Sequence, residues 1–385
     1  MRIIHYIDNI KAGNLLSDYL LRLTTAQKEY ADVKTVTQQG DFKKLLADFQ
    51  PDIAHIHTCW EYQASTHAYW AAKKQCAVVF SPHWELNERA RTTEQKSTKK
   101  VKTLLYQAKM VRRMDALLVS SEQERQDILK LGWTKRIDIV QNSVLNSSLS
   151  DDDMALQTIS FYRKVLDTRY QFAMTAMEKD AIPSLLHVGL AQETTHNLLP
   201  SDQLLNLRSL NPEQWRRIFL YADDEGIREI VDNCISRLQL NAPTIDTATI
   251  QRFPLLSPKE TTSVDTDKLI GNQPMTRQRL ANYSNEEDAI IKKIATIIAN
   301  TRQIERKKKL SLRLLADLYT VIKYNDYDED RLADVLRHLR LYRYSRRMIQ
   351  LLAEKVLLKE GFMPVPPRDD RKTKGIKRNN FVQRH

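Results

Sequence analysis

A chain of 385 residues is longer than one ordinary domain, so two or three domains are expected. Hydrophobic residues make up 42% and charged residues 28%, a globular balance, and no apolar run reaches the roughly 18 residues that a membrane-spanning helix needs. The net charge is +12 and is concentrated at the two ends of the chain. Basic surfaces attract nucleic acid, anionic lipid and phosphorylated sugars alike, so charge alone does not choose the partner.

The first 145 residues alternate between strand patterns and helix patterns. Short apolar runs predict six strands, at residues 3–7, 33–36, 53–56, 77–80, 116–119 and 137–140. Helical stripes lie between several of them, as in the segment from Leu15 to Leu23. Strands that alternate with helices indicate a parallel sheet with right-handed crossovers. The sequence therefore predicts a Rossmann-like α/β domain over residues 1–150.

The middle of the chain is predicted to hold a second, degenerate α/β segment over residues 151–240. A helix is expected over residues 151–179, and two short apolar runs at 185–188 and 218–221 have strand length. Residues 241–283 are rich in Pro, Thr, Ser and Asp, which predicts a linker or long loop.

The last part of the chain carries helical patterns only. Ser284 and Glu287 have the spacing of a capping box, and four apolar stripes follow. Four short amphipathic helices can bury one another, so residues 284–362 are predicted to form an all-α helical bundle that folds separately. Residues 363–385, which begin with a proline-rich run and are then basic, are predicted to be a disordered tail.

Cysteine and glycine usage limit the chemistry. Cys59, Cys76 and Cys234 match neither a zinc pattern nor a disulfide framework, and no signal-peptide cleavage site follows the N-terminus. Glycine occurs eight times, where average usage near 7% would give about 27, and no Gly-rich phosphate-binding motif is present. We therefore expect a cytoplasmic protein with no metal and no cofactor.

Ligands of parallel sheets bind beyond the carboxyl ends of the strands, and several polar residues fall there. His83 follows the fourth predicted strand and is the candidate catalytic residue, since a histidine can orient a hydroxyl or hold a phosphate. Asn9, His57, Ser121 and Asn142 follow other strands and should surround the same cleft. His55, His57 and Cys59 share one side of a strand, but no further ligand lies at metal spacing, which favours packing or ligand contact.

Four segments resemble the N-terminal domain of family 4 glycosyltransferases, whose two-Rossmann architecture is called GT-B. They are Pro-Asp-Ile-Ala-His-Ile-His at residues 51–57, Ser-Pro-His at 81–83, Met-Asp-Ala-Leu-Leu-Val-Ser-Ser-Glu-Gln-Glu at 114–124 and Ile-Asp-Ile-Val-Gln-Asn-Ser-Val at 137–144. They occur in the family's order and spacing, and the resemblance covers about residues 1–145.

The resemblance implies sugar transfer from a nucleotide-sugar donor to a glycan or lipid-linked acceptor, in surface polysaccharide assembly. The N-terminal domain would bind the acceptor, with His83 near the chemistry. The residues implied to contact substrate are Asn9, Gly13, His57, Ser121, Glu122 and Asn142.

Several departures from the family pattern weaken the catalytic interpretation. Trp84 and Ser143 stand where the family has glycine, and Leu190 stands where it has a diphosphate-binding Arg. The family's donor motif with two Glu residues is absent from the sequence. Weak or absent nucleotide-sugar binding is therefore expected, and a non-catalytic binding or scaffold protein derived from a GT-B fold is the alternative.

Two basic stretches bear on partners. In the family, a surface equivalent to Lys99, Lys100, Lys102, Arg112 and Arg113 often faces the membrane, which predicts peripheral membrane contact, with an ordinary solvated face as the alternative. Residues 337–347 mix Arg and Tyr, which suits either stacking on nucleic acid or a covering for the bundle core, and the second interpretation is favoured.

Overall fold

The computed structural model of the chain describes residues 1–92, 96–193, 199–255, 257–263, 265–283 and 285–381. Contacts divide the chain into two compact units. Among the described residues, unit 1 comprises Met1–Arg169 and Ile250–Pro254, and unit 2 comprises Tyr170–Thr249 and residues 255–381.

Unit 1 is built on a six-stranded parallel sheet. Its strands are β1 Arg2–Tyr6, β2 Asp32–Val36, β3 Ile53–Ile56, β4 Ala77–Phe80, β5 Ala116–Val119 and β6 Ile137–Ile139. The spatial order is β2-β1-β3-β4-β5-β6, and every pair is parallel. The predicted Rossmann-like sheet is confirmed. The inner strands β3, β4 and β5 are fully buried, as parallel strands with helices on both faces are, and the edge strand β2 is mostly exposed.

Eight helices accompany this sheet in the described part of unit 1. They are α1 Leu15–Gln27, α2 Phe42–Phe49, α3 Tyr62–Lys73, α4 Glu88–Thr92, α5 Lys96–Lys102, α6 Ala108–Arg113, α7 Glu122–Leu131 and α8 Asp151–Thr168, with a π-helical turn at Thr103–Gln107 between α5 and α6.

Strand alternation sends side chains into two separate cores. Ile4 and Tyr6 of β1 join the core that α2, α3, α6 and α7 cover. Ile3 of β1 joins the core that α1 and α8 cover, together with Leu20 and Tyr162 of those helices. Successive strand residues point to opposite faces, so His5 and His55, which are paired in register, lie on the second face.

The described residues of unit 2 form helices and irregular segments. The helices are α9 Ala176–Gly189, α10 Ser201–Arg208, α11 Pro212–Glu225, α12 Arg228–Leu238, α13 Pro274–Leu280, α14 Ala289–Arg306, α15 Leu312–Lys323, α16 Glu329–His338, α17 Tyr342–Lys355 and α18 Arg371–Asn380. The helical C-terminal portion is as the sequence predicted.

The prediction of two strands in the middle of the chain is wrong. Residues 185–188 lie inside α9 and residues 218–221 lie inside α11. Both helices begin with a capping box, Thr175 with Glu178 in one and Asn211 with Gln214 in the other. A helix buried on most sides presents an unbroken apolar run, and such a run cannot be told from a buried strand by periodicity.

The disorder predicted for the tail is also wrong for residues 371–380, which form α18. Asp370 caps this helix by accepting from the backbone N–H groups of Lys372 and Thr373, both at 2.9 Å. The Arg347 guanidinium binds the same carboxylate at 2.7 Å, and Ile376 is buried. Charge alone therefore misled the prediction, because the basic residues lie on the outer face of an amphipathic helix.

The predicted helical bundle packs beside helices of the middle segment. The Glu225 carboxylate at the end of α11 accepts from the backbone N–H of Leu312 at 2.8 Å and forms an ion pair with Lys259. The proposed capping residue Ser284 lies outside the described residues. Separate folding of residues 284–362 stays a prediction.

Candidate functional site

A cavity of about 170 Å³ lies at the carboxyl edge of the sheet in unit 1. Its polar lining is formed by Ser81, His83, Ser120, Glu124 and Asn142, which follow or adjoin the ends of β4, β5 and β6. Apolar lining comes from the start of α1 and from the strand ends: Leu15, Leu16, Tyr19, Leu118, Val119, Val140 and Leu145. The cavity thus occupies the position where parallel sheets bind ligands, and it is small beside the roughly 300–1,000 Å³ of clefts for drug-sized ligands.

His83 is joined to two buried histidines behind the cavity. Its Nε2 lies 2.9 Å from His57 Nδ1, and His57 Nε2 lies 2.9 Å from His5 Nδ1. The His5 Nε2 atom in turn lies 2.9 Å from the amide oxygen of Gln27 on α1. Three imidazoles and one amide therefore form a continuous hydrogen-bonded row from the cavity into the core.

A further buried histidine, His55, connects other elements to the same place. His55 Nδ1 lies 2.6 Å from the hydroxyl of Tyr162 on α8, and its Nε2 lies 2.8 Å from Ser81 Oγ. The Ser81 hydroxyl donates to the carbonyl of Leu118 at 2.8 Å. The rings of His55 and His57 have centroids 4.0 Å apart, so the two rows are in contact.

Burial keeps these histidines neutral at pH 7. Desolvation lowers the pKa of His5 and of His83 to about 4. It holds the pKa values of His55 and His57 well below their usual range, and the neighbouring histidines lower them further. A neutral imidazole has one N–H donor and one acceptor nitrogen, so each ring can link two partners in only one direction.

The backbone at the cavity is strained. His83 has φ of +47° and Trp84 has φ of +67°, and Trp60 after β3 has φ of +63°. Side-chain-bearing residues adopt this left-handed region at a cost of about 1–3 kcal/mol each, and such strain clusters at functional sites. Hydrogen bonds hold the strained loop: the Trp84 backbone N–H donates to Glu124 at 2.6 Å, and its indole N–H donates to Ser120 Oγ at 3.0 Å.

Glu124 is the acidic group of the cavity, and its side chain is almost fully buried. It also accepts from the backbone N–H of Ser120 at 2.9 Å and from the Ser120 hydroxyl at 3.1 Å. Burial raises the pKa of its carboxyl group, although its hydrogen bonds to Ser120 and Trp84 act in the opposite direction. The carboxylate thus serves mainly to fix the two loops that follow β4 and β5.

The predicted site residues are brought together only in part. His83 and Asn142 line the cavity, and His57 contacts His83 from behind. Ser121 caps α7 by accepting from the Glu124 backbone N–H, so its hydroxyl has a structural partner.

The three other predicted contacts are exposed and are not among the cavity-lining residues. Asn9 is exposed beside Asp8, and Gly13 lies in an open turn with φ of +73°. Glu122 is exposed and binds Arg125 at 3.1 Å.

Sequence reasoning missed His5, Gln27, Tyr162 and Ser81, and it chose Glu122 where Glu124 is the buried acid. One signal was available: His5 lies within the first predicted strand, and a polar side chain buried in a strand needs a hydrogen-bond partner. Gln27 and Tyr162 offered none, because helix packing alone brings them to the histidines.

The three buried histidines have a spacing that a metal ion could bridge. One ring nitrogen each of His5, His55 and His57 lies within 4.8 Å of the others. All six ring nitrogens of these residues already have hydrogen-bond partners. A metal would have to displace several of those bonds, so the arrangement fits a hydrogen-bond network better than a metal centre.

Comparison with known families finds a match within unit 1. Residues 29–144 match the model of the family described as Glycosyltransferase Family 4. This segment of unit 1 is similar to that family. It contains β2 to β6 and the loops that carry His57, His83 and Asn142. No curated protein and no solved structure matches the chain.

Arg217 lies inside α11, where its guanidinium forms a two-pronged ion pair with the buried Glu178 at 2.8 and 3.1 Å. In the part of unit 2 that the structure describes, no strand is present and hence no second sheet. No helix among the described residues is long and apolar enough to cross a bilayer.

Proposed function

We propose that this chain is a glycosyltransferase-like protein whose unit 1 binds the hydroxyl-bearing acceptor of a sugar transfer at His83, and that it binds nucleotide sugar weakly or not at all. The observation that carries the proposal is the cavity at the carboxyl edge of the sheet, in which His83 and Asn142 face the same small space. The glycan or lipid-linked acceptor and the surface-polysaccharide setting belong to this proposal.

The cavity chemistry supports a hydroxyl ligand. Asn142, Ser120 and His83 offer neutral hydrogen-bonding groups, and Glu124 is an acid already occupied by three donors. No Lys or Arg lies among the lining residues. A diphosphate needs charge-assisted partners, and leaving it unpaired in a cleft costs several kcal/mol, so a neutral sugar suits this cavity better.

Unit 2 supports a loss of donor binding. A nucleotide sugar in a GT-B enzyme would occupy a second Rossmann domain, and the described residues of unit 2 are helical instead. Catalysis of the complete transfer by this chain alone is therefore not part of the proposal. The helical structure of the described part of unit 2 also favours the alternative, a purely non-catalytic scaffold.

Acceptor binding and donor binding can be tested on one protein. The labelled full chain should bind neutral glycans on an array, and Asn142→Leu should reduce that binding about tenfold or more, the equivalent of one or two lost hydrogen bonds. The matched control is Asn146→Leu, because Asn146 lies in the same loop and is not a lining residue. Titration calorimetry with UDP and GDP should give no micromolar dissociation constant. Absence of glycan binding, or tight UDP or GDP binding, would contradict the proposal.

We also propose that unit 1 makes peripheral membrane contact through the segment 99–113. Val101, Leu104 and Leu105 are 54%, 86% and 69% exposed, and Lys100, Arg112 and Arg113 are exposed nearby. Lys99 and Lys102 were predicted to belong to the membrane-facing surface, but their ammonium groups donate to the backbone carbonyls of Ala90 and Trp60. A cavity of about 710 Å³ adjoins this segment, lined by Tyr62, Tyr69, Trp70, Tyr106, Lys73, Lys109 and Arg113 among others.

Exposed leucines flanked by cations suit the interface of an anionic bilayer, at about 1 kcal/mol per basic residue near the surface. The full chain should sediment with vesicles that contain phosphatidylserine, less so with neutral vesicles, and less at high salt. Leu104→Glu should release it, while Leu205→Glu, at a 69% exposed leucine of α10, should not. Equal binding by Leu104→Glu and the unaltered chain would contradict this contact.

A further inference from the structure

Each of the two rows of hydrogen bonds behind the cavity has one end that fixes the direction of its bonds, and the first row ends at Leu118. The carbonyl oxygen of Leu118 can only accept, so the Ser81 hydroxyl donates to it. Ser81 Oγ must then accept from His55, which places the His55 proton on Nε2. The remaining nitrogen, His55 Nδ1, is an acceptor, and the Tyr162 hydroxyl donates to it at 2.6 Å.

A separate row of hydrogen bonds ends at Gln27. The Gln27 amide oxygen lies 2.9 Å from His5 Nε2, and its amide nitrogen makes no hydrogen bond to the described residues. An amide oxygen can only accept, so the His5 proton is on Nε2.

The row from Gln27 to the cavity is then fixed as well. The Gln27 oxygen accepts from His5 Nε2, so His5 Nδ1 accepts from His57 Nε2, and His57 Nδ1 accepts from His83 Nε2. All donors in this row point away from the cavity, towards the Gln27 amide oxygen. Burial keeps the four rings neutral at pH 7, with one proton each.

We propose that this one-way row of hydrogen bonds fixes His83 as the Nε2–H tautomer, so that its Nδ1 is a permanent acceptor for a hydroxyl of the ligand. His57, His5 and Gln27 are positioning residues. The inference deepens the proposed function and rests on it for the ligand. It also excludes one role that the sequence left open for His83, since an unprotonated nitrogen repels the oxygens of a phosphate.

The tautomer can be measured without any ligand. In the full chain labelled with ¹⁵N in the histidine rings, long-range proton–nitrogen spectra at pH 7 should show His83 as a single Nε2–H tautomer. Loss of one set of signals in His83→Gln assigns the residue. A protonated Nδ1 at His83, in either the other tautomer or the charged form, would overturn the proposal.

Transmission along the row is tested at its far end. Gln27→Leu removes the acceptor for the His5 Nε2 proton. The free-energy difference that favours one tautomer should fall by about 1 kcal/mol, so both tautomers of His83 should become visible. Gln126 is an exposed glutamine of α7, and Gln126→Leu should leave the spectrum unchanged. The signals of His67 should be unchanged in both variants. Tyr162→Phe removes a hydrogen bond to His55 in the other row, so it should leave the His83 tautomer unchanged. A single unchanged tautomer in a folded Gln27→Leu protein would refute the transmission.

Ligand titrations separate this inference from the proposed function. Methyl glucoside should shift the His83 signals, and inorganic phosphate should not. A shift with phosphate alone would overturn the inferred preference for hydroxyls. If neither probe shifts the signals while the tautomer is as expected, acceptor binding at His83 is contradicted and the preset tautomer stands.

Discussion

Acidification should destabilise unit 1, because its buried histidines stay neutral while the unfolded chain takes up protons. Burial lowers the pKa of His5 from 6.5 to about 4, against the smaller raising effect of its bond to Gln27. Between those two values the unfolded state binds more protons than the folded state, so stability falls as pH falls from 6.5 towards 4. Above pH 6.5 the effect disappears.

The size of the effect follows from the same pair of values. For His5 alone the folded state should lose about 2 kcal/mol between pH 7 and pH 5, and about 3 kcal/mol if the pH reaches 4. His55 and His57 are lowered in the same direction and add to the loss. A total of several kcal/mol is a large fraction of the stability of a domain of this size.

The assay is urea unfolding at pH 7 and pH 5, followed by tryptophan fluorescence. Four of the five tryptophans, Trp60, Trp70, Trp84 and Trp133, lie in unit 1, so the signal reports mainly on that unit. In His5→Gln the loss between the two pH values should shrink by about 2 kcal/mol. The control is His338→Gln, because His338 is an exposed residue of unit 2. An unchanged pH dependence in His5→Gln would refute the reasoning.

Other changes test single contacts. Glu124→Ala should cost unit 1 about 2–4 kcal/mol in urea unfolding, since backbone donors lose a buried acceptor, and a cost below about 1 kcal/mol would contradict this. Glu225→Ala should cost unit 2 about 2 kcal/mol or more, because the N–H of Leu312 and an ion pair lose their partner. Asp370→Asn should speed hydrogen exchange in α18, and unchanged protection would count against its capping role. The isolated segment 284–362 should show a cooperative helical melt, whose absence would place the domain boundary elsewhere.

The sheet of unit 1 could be predicted because its strands are local signals. Each is a short segment of three to five residues rich in apolar side chains, and alternation with helices fixes the parallel arrangement. The same signal failed at residues 185–188, where the run belongs to a helix that is buried on most sides. The capping box at Thr175 and Glu178 was the available correction, since it marks a helix start ten residues earlier.

The candidate site was predictable only where strand ends determine it. His83 and Asn142 follow strands and line the cavity, as the rule for parallel sheets requires. Gln27 and Tyr162 come from α1 and α8, and nothing local in the sequence relates them to His5 or His55. Their contacts arise from the packing of helices onto one face of the sheet, which is a tertiary property.

The two positions where the resembled family has glycine have been replaced in physically different ways. At Trp84 the backbone keeps a φ of +67°, a conformation that glycine adopts freely and other residues adopt at about 1–3 kcal/mol. The hydrogen bond from this N–H to Glu124, at 2.6 Å to a charged acceptor, contributes about 1.5–3 kcal/mol and is large enough to offset that cost. At Ser143 the left-handed conformation is absent, and the buried hydroxyl donates to Asp151 at 2.6 Å instead. The loop after β4 has therefore kept the shape that glycine would give it, and Glu124 is the residue that makes this possible. Loss of glycine beside His83 consequently does not argue against a ligand there.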